Sequence, residues 1–169
     1  IHSVSGGTDI VSCFMLGIPT LPVYSGEIQG PGLGMNIDVY NEKGKPTKKT
    51  GELVCKTPFP SKPIYFWNDK LNRKYKSAYF EKFPNIWAHG DYVKKTNNGG
   101  YVIFGRSDAT LNPGGVRIGT GEIYNSLQKF HWIEDCLATG YMTENDEKIV
   151  LFLKLSNSKI KIDFRSVLK

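Results

Sequence analysis

A glycine-rich run near the start of the chain, Ser5-Gly6-Gly7-Thr8-Asp9, combines small residues with two oxygen-bearing side chains. Glycines let backbone N–H groups approach a phosphate closely, while Thr8 and Asp9 add a hydroxyl and a carboxylate that suit Mg²⁺. The same residue types are also common in ordinary turns, so the run alone does not separate the two interpretations. It predicts a loop over residues 1–8 that either approaches a phosphorylated ligand or simply turns the chain.

An acidic residue stands in the middle of an otherwise apolar stretch, in the sequence Ala88-His89-Gly90-Asp91. A carboxylate that is buried there needs a partner. A ribose diol is one candidate, because an ionised carboxylate can accept hydrogen bonds from two hydroxyls. The alternative is an aspartate that caps a turn. For His89 we predict a structural role and no chemistry.

Two arginines flank a glycine-rich turn, Arg106 within Gly105-Arg106-Ser107-Asp108 and Arg117 at the end of Gly114-Gly115-Val116-Arg117. The guanidinium group stays charged and pairs with phosphate or a diol through its planar fork. The two side chains could therefore meet one polyanion from different sides. The alternative is a surface hairpin that carries two solvated arginines.

Strands are the main elements that must position these residues. Alternating apolar and polar residues over 35–40 predict one strand, and 52–55 predicts its return after a turn at 41–44. A hairpin is predicted for strands 86–94 and 101–104, because the Asn and Gly residues between them tolerate positive φ. A short helix is predicted over 69–80.

After Asp108 the pattern changes, and we predict a domain boundary there, between 1–107 and 108–169. A tight turn at 111–116 is followed by a helix that ends near Phe130, with Thr120 as its N-cap. Two strands are predicted at 133–142 and 148–155. The last residues, 161–169, have the pattern of the start of an amphipathic helix.

Composition limits the classes of function. The net charge is +6, but the lysines are scattered through turns and form no basic stripe interleaved with aromatic residues, so we do not expect nucleic-acid binding. No apolar run approaches the roughly 20 residues that span a bilayer, so no membrane span is expected. Three widely separated cysteines, Cys13, Cys55 and Cys136, favour reduced thiols in a cytoplasmic compartment.

The order of these groups along the chain resembles the adenylate-forming superfamily, which includes acyl-CoA synthetases, peptide-synthetase adenylation domains and luciferases. Gly-Gly-Thr-Asp, Gly-Glu-Leu-Val, His-Gly-Asp, Gly-Arg-Ser-Asp and Gly-Gly-Val-Arg-Ile follow one another over most of the chain. The resemblance implies an α+β fold. Residues 1–107 would form the β-rich, barrel-like end of the large N-terminal domain, and 108–169 the hinge and first part of the small, mobile α/β C-terminal domain.

The resemblance also implies a reaction. In such enzymes ATP and a carboxylate give an acyl-adenylate and pyrophosphate, after which the CoA thiol displaces AMP to give a thioester. The implied substrates are ATP with Mg²⁺, CoA and acetoacetate, the last because the motifs of this chain match best those of family members that use it. The resemblance also implies that parts of both domains are missing, so the chain alone is expected to be inactive. Another short-chain acyl-CoA synthetase, an amino-acid adenylation domain and a non-enzymatic β-rich binding module remain as alternatives.

The resemblance assigns roles to individual residues. Asp9 stands where the family usually has a glutamate that binds Mg²⁺, and the shorter side chain is compatible with a water-mediated contact. Asp91 matches the residue that holds the ribose hydroxyls, and Arg117 one that meets phosphate. The positions that match nucleotide contacts are Ser5, Gly6, Gly7, Thr8, Asp91, Arg106 and Arg117.

The remaining assignments concern domain movement and the acyl and CoA substrates. Asp108 matches the hinge of the small domain, although many relatives have a second aspartate where this chain has Ala109. Gly114 and Gly115 match the stretch that lines the pantetheine path. Relatives that use acetate carry tryptophan at the position of Gly6, so the glycine is expected to leave room for a longer acyl group.

Overall fold

The computed structural model describes residues 2–144 and 146–157, and the chain divides into two compact units at Ile103 and Phe104. This division falls a few residues before the boundary predicted at Asp108. The first unit contains strands β1 (Ser5–Gly7), β2 (Ser12–Leu16), β3 (Gly30–Pro31), β4 (Ile37–Tyr40) and β5 (Gly51–Cys55), helix α1 (Arg73–Phe80), strand β6 (Trp87–Lys95) and the start of β7 (Tyr101–Arg106).

Two sheets make up the described strands of this part of the chain. One has the order β1-β2-β3 and the other the order β4-β5-β6-β7. The strand predicted over 35–40, the turn after it and the β6–β7 hairpin at Gly99, where φ is +87°, are confirmed. The loop predicted over residues 1–8 is wrong in part, because Ser5–Gly7 pairs antiparallel with β2.

An aromatic cluster centred on Trp87 forms much of the buried core of the first unit. The indole is only 2% exposed, and Tyr79 stacks on it with ring centroids 3.7 Å apart and an interplanar angle of 14°. Further rings meet the indole mostly edge-on, which is a favourable arrangement for aromatic pairs. These rings belong to Phe14, Phe59, Tyr75 and Phe80. The cluster ties β2 and helix α1 to strand β6.

Helix α1 begins later than the residue 69 that the sequence predicts. Leu71 and Asn72 have φ values of 61° and 54°, which break the helical backbone before Arg73. Asp69 nevertheless serves the helix, because its Oδ1 accepts a hydrogen bond from the Lys74 N–H at 3.0 Å and its Oδ2 accepts one from the Tyr75 N–H at 2.9 Å. The aspartate therefore caps the first turn from outside the helix.

Replacing Asp69 with asparagine is expected to weaken helix α1 in a pH-dependent way. Desolvation acts to raise the pKa of Asp69, but backbone N–H groups of residues 73–75 and the charge of Lys74 hold it below the ordinary value of 3.8. A carboxylate with a depressed pKa stabilises the fold above its unfolded pKa and loses that effect as pH falls through the folded pKa. Denaturation midpoints of the two proteins should differ near neutral pH and converge below pH 3.8. A constant difference would contradict this prediction.

The second unit contains helix α2 (Thr120–Leu127) and the paired strands β8 (Ile133–Met142) and β9 (Glu147–Leu155). The helix and both strands are confirmed. The predicted N-cap role of Thr120 is wrong, because Thr120 is already helical and Gly119 is the N-cap. Glu122 Oε1 accepts the Gly119 N–H at 3.3 Å, so an acidic side chain in the first turn supplies the capping contact. The helix predicted over 161–169 lies outside the described residues.

The three cysteines form no disulfide. Cys55 is buried, whereas Cys13 and Cys136 are only partly buried. Burial raises the pKa of the Cys55 thiol against the opposing effect of backbone hydrogen bonds, so its thiolate form is disfavoured. Among the described helices, none has the length and apolar character that crossing a bilayer requires.

Candidate functional site

Asp91 and Ser5, which lie 86 positions apart in the sequence, meet in the first unit. Ser5 Oγ donates a hydrogen bond to Asp91 Oδ2 at 3.2 Å, and both residues are buried. His89 Nε2 lies 3.8 Å from the same carboxylate oxygen, and the His89 ring packs edge-on against Phe14. The fold therefore brings together two of the residues that the sequence predicts to contact a nucleotide.

A bulge in strand β6 determines where the Asp91 carboxylate points. Opposite β5, Tyr92 pairs with Glu52 and Ala88 pairs with Val54, so residues 89–91 face a single residue of β5. Gly90 takes a φ of +86° in this bulge, which is a backbone conformation that favours glycine. Asp91 thus does not follow the regular alternation of side chains along the strand. Bulges next to active sites often redirect a side chain in this way.

The glycine-rich run continues from β1 into a short 3₁₀ turn, Thr8–Ile10. Thr8 and Asp9 are exposed, so both side chains are accessible in the described structure. A Cβ on Gly7 would lie 2.1 Å from Asp9 Oδ1 and 3.1 Å from His89 Cε1. Glycine at position 7 therefore lets the Asp9 carboxylate fold back toward the strand that carries Asp91.

Tyr79 lies within the helix that the sequence predicts over 69–80, but the sequence analysis gives it no role in the site. Its hydroxyl donates a hydrogen bond to Asp9 Oδ2, while its ring stacks on Trp87. The available signal was that a tyrosine on an apolar face needs a partner for its hydroxyl. Tyr79 therefore links the position of the Asp9 side chain to the aromatic core.

The surroundings of Asp9 are compatible with a magnesium ion that is held mainly by a ligand. In the described part of the chain, no three His, Cys, Asp or Glu side chains lie close enough together to hold a metal. Mg²⁺ commonly binds through one or two carboxylates, with substrate phosphates and water completing the shell. One accessible carboxylate next to the Thr8 hydroxyl fits that mode and does not fit a cage built by protein alone.

Gly6 sits where two strands come very close. A Cβ on Gly6 would lie 2.2 Å from the backbone oxygen of Ser12 and 2.7 Å from Cys13 Cα. The glycine is therefore required by the pairing of β1 with β2, in which Gly6 faces Cys13. The expected role of Gly6, as open space for a longer acyl group, stays a prediction.

The second unit carries the other predicted residues. Arg106, at the end of β7, places its Nε 3.4 Å from Asp108 Oδ1, and the two side chains are 52% and 74% exposed. The Thr110 hydroxyl donates to the Arg106 carbonyl at 3.1 Å. The segment predicted as a hinge is short, and the side chains of Arg106 and Asp108 within it are exposed.

The predicted CoA-path glycines lie in the 3₁₀ turn Pro113–Gly115, which is bounded by a bridge between Leu111 and Ile118. The Gly114 N–H donates to the Asp146 carboxylate at 2.8 Å from Oδ1, so the β8–β9 turn supports this segment. Gly114 has a φ of +58°, and a Cβ there would meet nothing within 4 Å. Arg117, just beyond the turn, is exposed.

Known proteins resemble this chain in sequence and in fold. No family model matches the chain. Acetoacetyl-coenzyme A synthetase of Rhizobium meliloti (strain 1021) is 57% identical over 157 residues, which is 92% of this chain and 24% of that protein. The chain therefore spans about a quarter of the length of this curated relative.

Solved structures show the same fold. Acetoacetyl-CoA synthetase from Streptomyces lividans matches with a TM-score of 0.87 and 41% identity, over 99% of this chain and 25% of that chain. O-succinylbenzoate coenzyme A synthetase (MenE) of Bacillus subtilis, solved with ATP and a magnesium ion, matches with a TM-score of 0.77 over 99% of this chain and 34% of that chain. Its identity is only 16%, so this likeness concerns the fold alone. The predicted α+β fold is confirmed, because these solved synthetases share it over 99% of this chain.

Proposed function

We propose that this chain, a homologue of a quarter-length segment of the acetoacetyl-CoA synthetases, is part of an ATP-dependent acid–CoA ligase. In the proposed reaction the carboxylate of acetoacetate attacks the α-phosphorus of ATP and releases pyrophosphate. The thiol of CoA then attacks the carbonyl of the acyl-adenylate, and AMP leaves as the thioester forms. Acetoacetate is a ketone body, so the proposed product would enter lipid metabolism. As a separate part of the proposal, we place the enzyme in the cytoplasm.

The observation that carries the proposal is the contact between Ser5 and Asp91 beside the glycine-rich turn. It supports a nucleotide site in which the Asp91 carboxylate accepts hydrogen bonds from the ribose hydroxyls. Ser5 Oγ donates to one oxygen of this carboxylate at 3.2 Å and so helps to orient it. The backbone of Gly6 to Thr8 would then follow the adenylate, with Thr8 nearest to its phosphate.

Asp9 is the residue that would hold Mg²⁺, together with the phosphates of ATP. The ion, when bound, neutralises phosphate charge and so favours departure of pyrophosphate. Tyr79 donates to one oxygen of Asp9 and keeps the carboxylate oriented. The side chain is shorter than the glutamate of many relatives, so a water between Asp9 and the ion is part of the proposal.

The second unit would supply mobile contacts. We assign Arg106 to the nucleotide, Arg117 to phosphate and Asp108 to the pivot about which the small domain turns between the two half-reactions. Gly114 and Gly115 would border the pantetheine arm of CoA, where a glycine backbone leaves space. The exposure of Arg106, Asp108 and Arg117 supports these assignments, because a hinge and its ligand contacts must be accessible.

The full-length protein that contains this segment is expected to convert acetoacetate, ATP and CoA to acetoacetyl-CoA, AMP and pyrophosphate. Thioester formation and release of AMP would be measured by chromatography, with acetate, butyrate and amino acids as competing acids. The isolated 169-residue chain is the control and is expected to form no thioester, since it spans about a quarter of its relatives. Preference for an amino acid or for another acid would refute the substrate, and ADP in place of AMP would refute the reaction class.

A further inference from the structure

Glu52 is a buried acidic residue to which the proposed mechanism assigns no role. It lies on strand β5 and is 3% exposed. An ionised carboxylate that is removed from water is costly unless charged and polar partners compensate it. The contacts of Glu52 are therefore informative, because they identify what the fold uses this carboxylate for.

The two oxygens of Glu52 have different partners. Oε1 accepts a hydrogen bond from the Gly90 N–H at 2.8 Å, and Oε2 accepts one from Lys82 Nζ at 2.5 Å. Lys82 is partly exposed and precedes β6 in the chain, so the ion pair connects the segment before that strand to β5. One buried carboxylate thus holds both the bulge and the segment that leads into its strand.

Gly90 is the central residue of the bulge and directly precedes Asp91. Its φ of +86° takes the chain out of the regular ladder, so the β5–β6 pairing alone does not fix the direction of the next side chain. The bond from Gly90 to Glu52 supplies a fixed point one residue before Asp91, and the Ser5 hydroxyl supplies another at its carboxylate. Without Glu52, the Gly90 N–H loses the hydrogen bond that holds the bulge directly before Asp91.

We propose that Glu52 is a positioning residue for the nucleotide site, which fixes the Gly90 bulge so that the Asp91 carboxylate meets the ribose hydroxyls. Lys82 is its counter-ion and keeps the buried carboxylate in place. The inference rests on the proposed function, because it assumes that Asp91 binds ribose. It goes beyond that function by making selectivity for the ribose depend on a residue that does not touch the nucleotide.

The test compares ATP with 2′-deoxy-ATP and 3′-deoxy-ATP in the full-length protein, using the ratio of kcat/KM values for thioester formation. Glu52→Ala should lower the preference for ATP by about tenfold, which corresponds to weakening one hydrogen bond to a charged group. Glu52→Gln can still accept the Gly90 N–H, so it should keep the ratio within about 1.5-fold of the unmodified protein. Asp91→Ala gives the ratio of kcat/KM values that is expected when selectivity for the ribose is lost.

Val54→Ala is the matched control for a purely structural effect. Val54 lies on the same strand and is fully buried, so its truncation destabilises the fold without touching the bulge bond. A smaller folded fraction lowers turnover with all three nucleotides equally and leaves the ratio unchanged. If Glu52→Ala and Val54→Ala give the same ratio of kcat/KM values for ATP and the deoxy nucleotides, the inference is overturned.

Glu52→Asp covers the case in which the alanine variant does not fold. It keeps the charge, but it is one methylene shorter and cannot hold Gly90 and Lys82 together, so the ratio should fall by about threefold. An unchanged ratio would also overturn the inference. Absence of ATP-dependent thioester formation by the unmodified protein would instead refute the proposed function, so the two failures are distinguishable.

Discussion

Replacing Asp91 with alanine in the full-length protein is expected to lower kcat/KM for ATP by roughly a hundredfold. A hydrogen bond to a charged group contributes about 1.5–3 kcal/mol, and about 1.4 kcal/mol corresponds to a tenfold change in rate. Loss of two bonds to the ribose diol accounts for the expected effect. Steady-state kinetics with varied ATP would measure it, and the loss should appear mainly in KM if the bonds are equally strong in the ground and transition states.

Asp38→Ala provides a matched control for the Asp91 experiment. Asp38 is also a strand aspartate of the first unit, but it pairs with Lys56 at 3.0 Å, and both side chains are partly exposed. Such pairs contribute about 0–1 kcal/mol, so activity should stay within about twofold. Asp91→Asn, which keeps the shape but not the charge, should be intermediate. If Asp91→Ala behaves like Asp38→Ala, Asp91 does not bind the nucleotide.

Replacing Phe14 with alanine is expected to cost about 3–5 kcal/mol of stability, the usual cost of removing a large buried aromatic side chain. Phe14 is 0% exposed and meets Phe59 edge-on with ring centroids 5.3 Å apart. It also packs against His89, whose ring centroid is 4.6 Å away. The cavity would therefore lie next to the His89 ring, whose Nε2 is 3.8 Å from Asp91 Oδ2.

Chemical denaturation of the full-length protein, followed by the circular dichroism of its sheets, would measure the Phe14 effect. Phe14→Leu is the control, because a hydrophobic side chain of similar size should cost less than about 1.5 kcal/mol. The alanine variant should also weaken ATP binding, since the His89 ring would lose its packing partner. Equal denaturation midpoints for the two variants would argue against tight packing at this position.

Local patterns predicted much of the fold. The alternation over 35–40, the glycine at position 99 and the apolar residues of β8 and β9 each favour one backbone conformation, and these elements were correct. Strand β1 was missed because a run of small polar residues has no strand pattern of its own. It becomes a strand only through its pairing with β2, which the local sequence does not specify.

The site was predictable in its residue types but not in its internal contacts. A carboxylate in an apolar strand directed attention to Asp91, and the glycine-rich run directed it to Ser5. The two residues are 86 positions apart in the sequence, so local patterns do not predict their contact. The contacts of Glu52 and Tyr79 were missed for the same reason, because each looks like an ordinary strand or helix residue until its distant partner is known. Roles in catalysis came from the family resemblance.

The close contact at Gly6 has a consequence for any substitution at this position. Since a Cβ at this position would overlap the backbone of Ser12, a larger residue can enter only after the neighbouring strand has moved. A tryptophan at position 6 would therefore require a change in strand spacing as well as in one side chain. A single substitution of Gly6 is therefore expected to disturb the pairing of β1 with β2 unless compensating changes are made around Ser12 and Cys13.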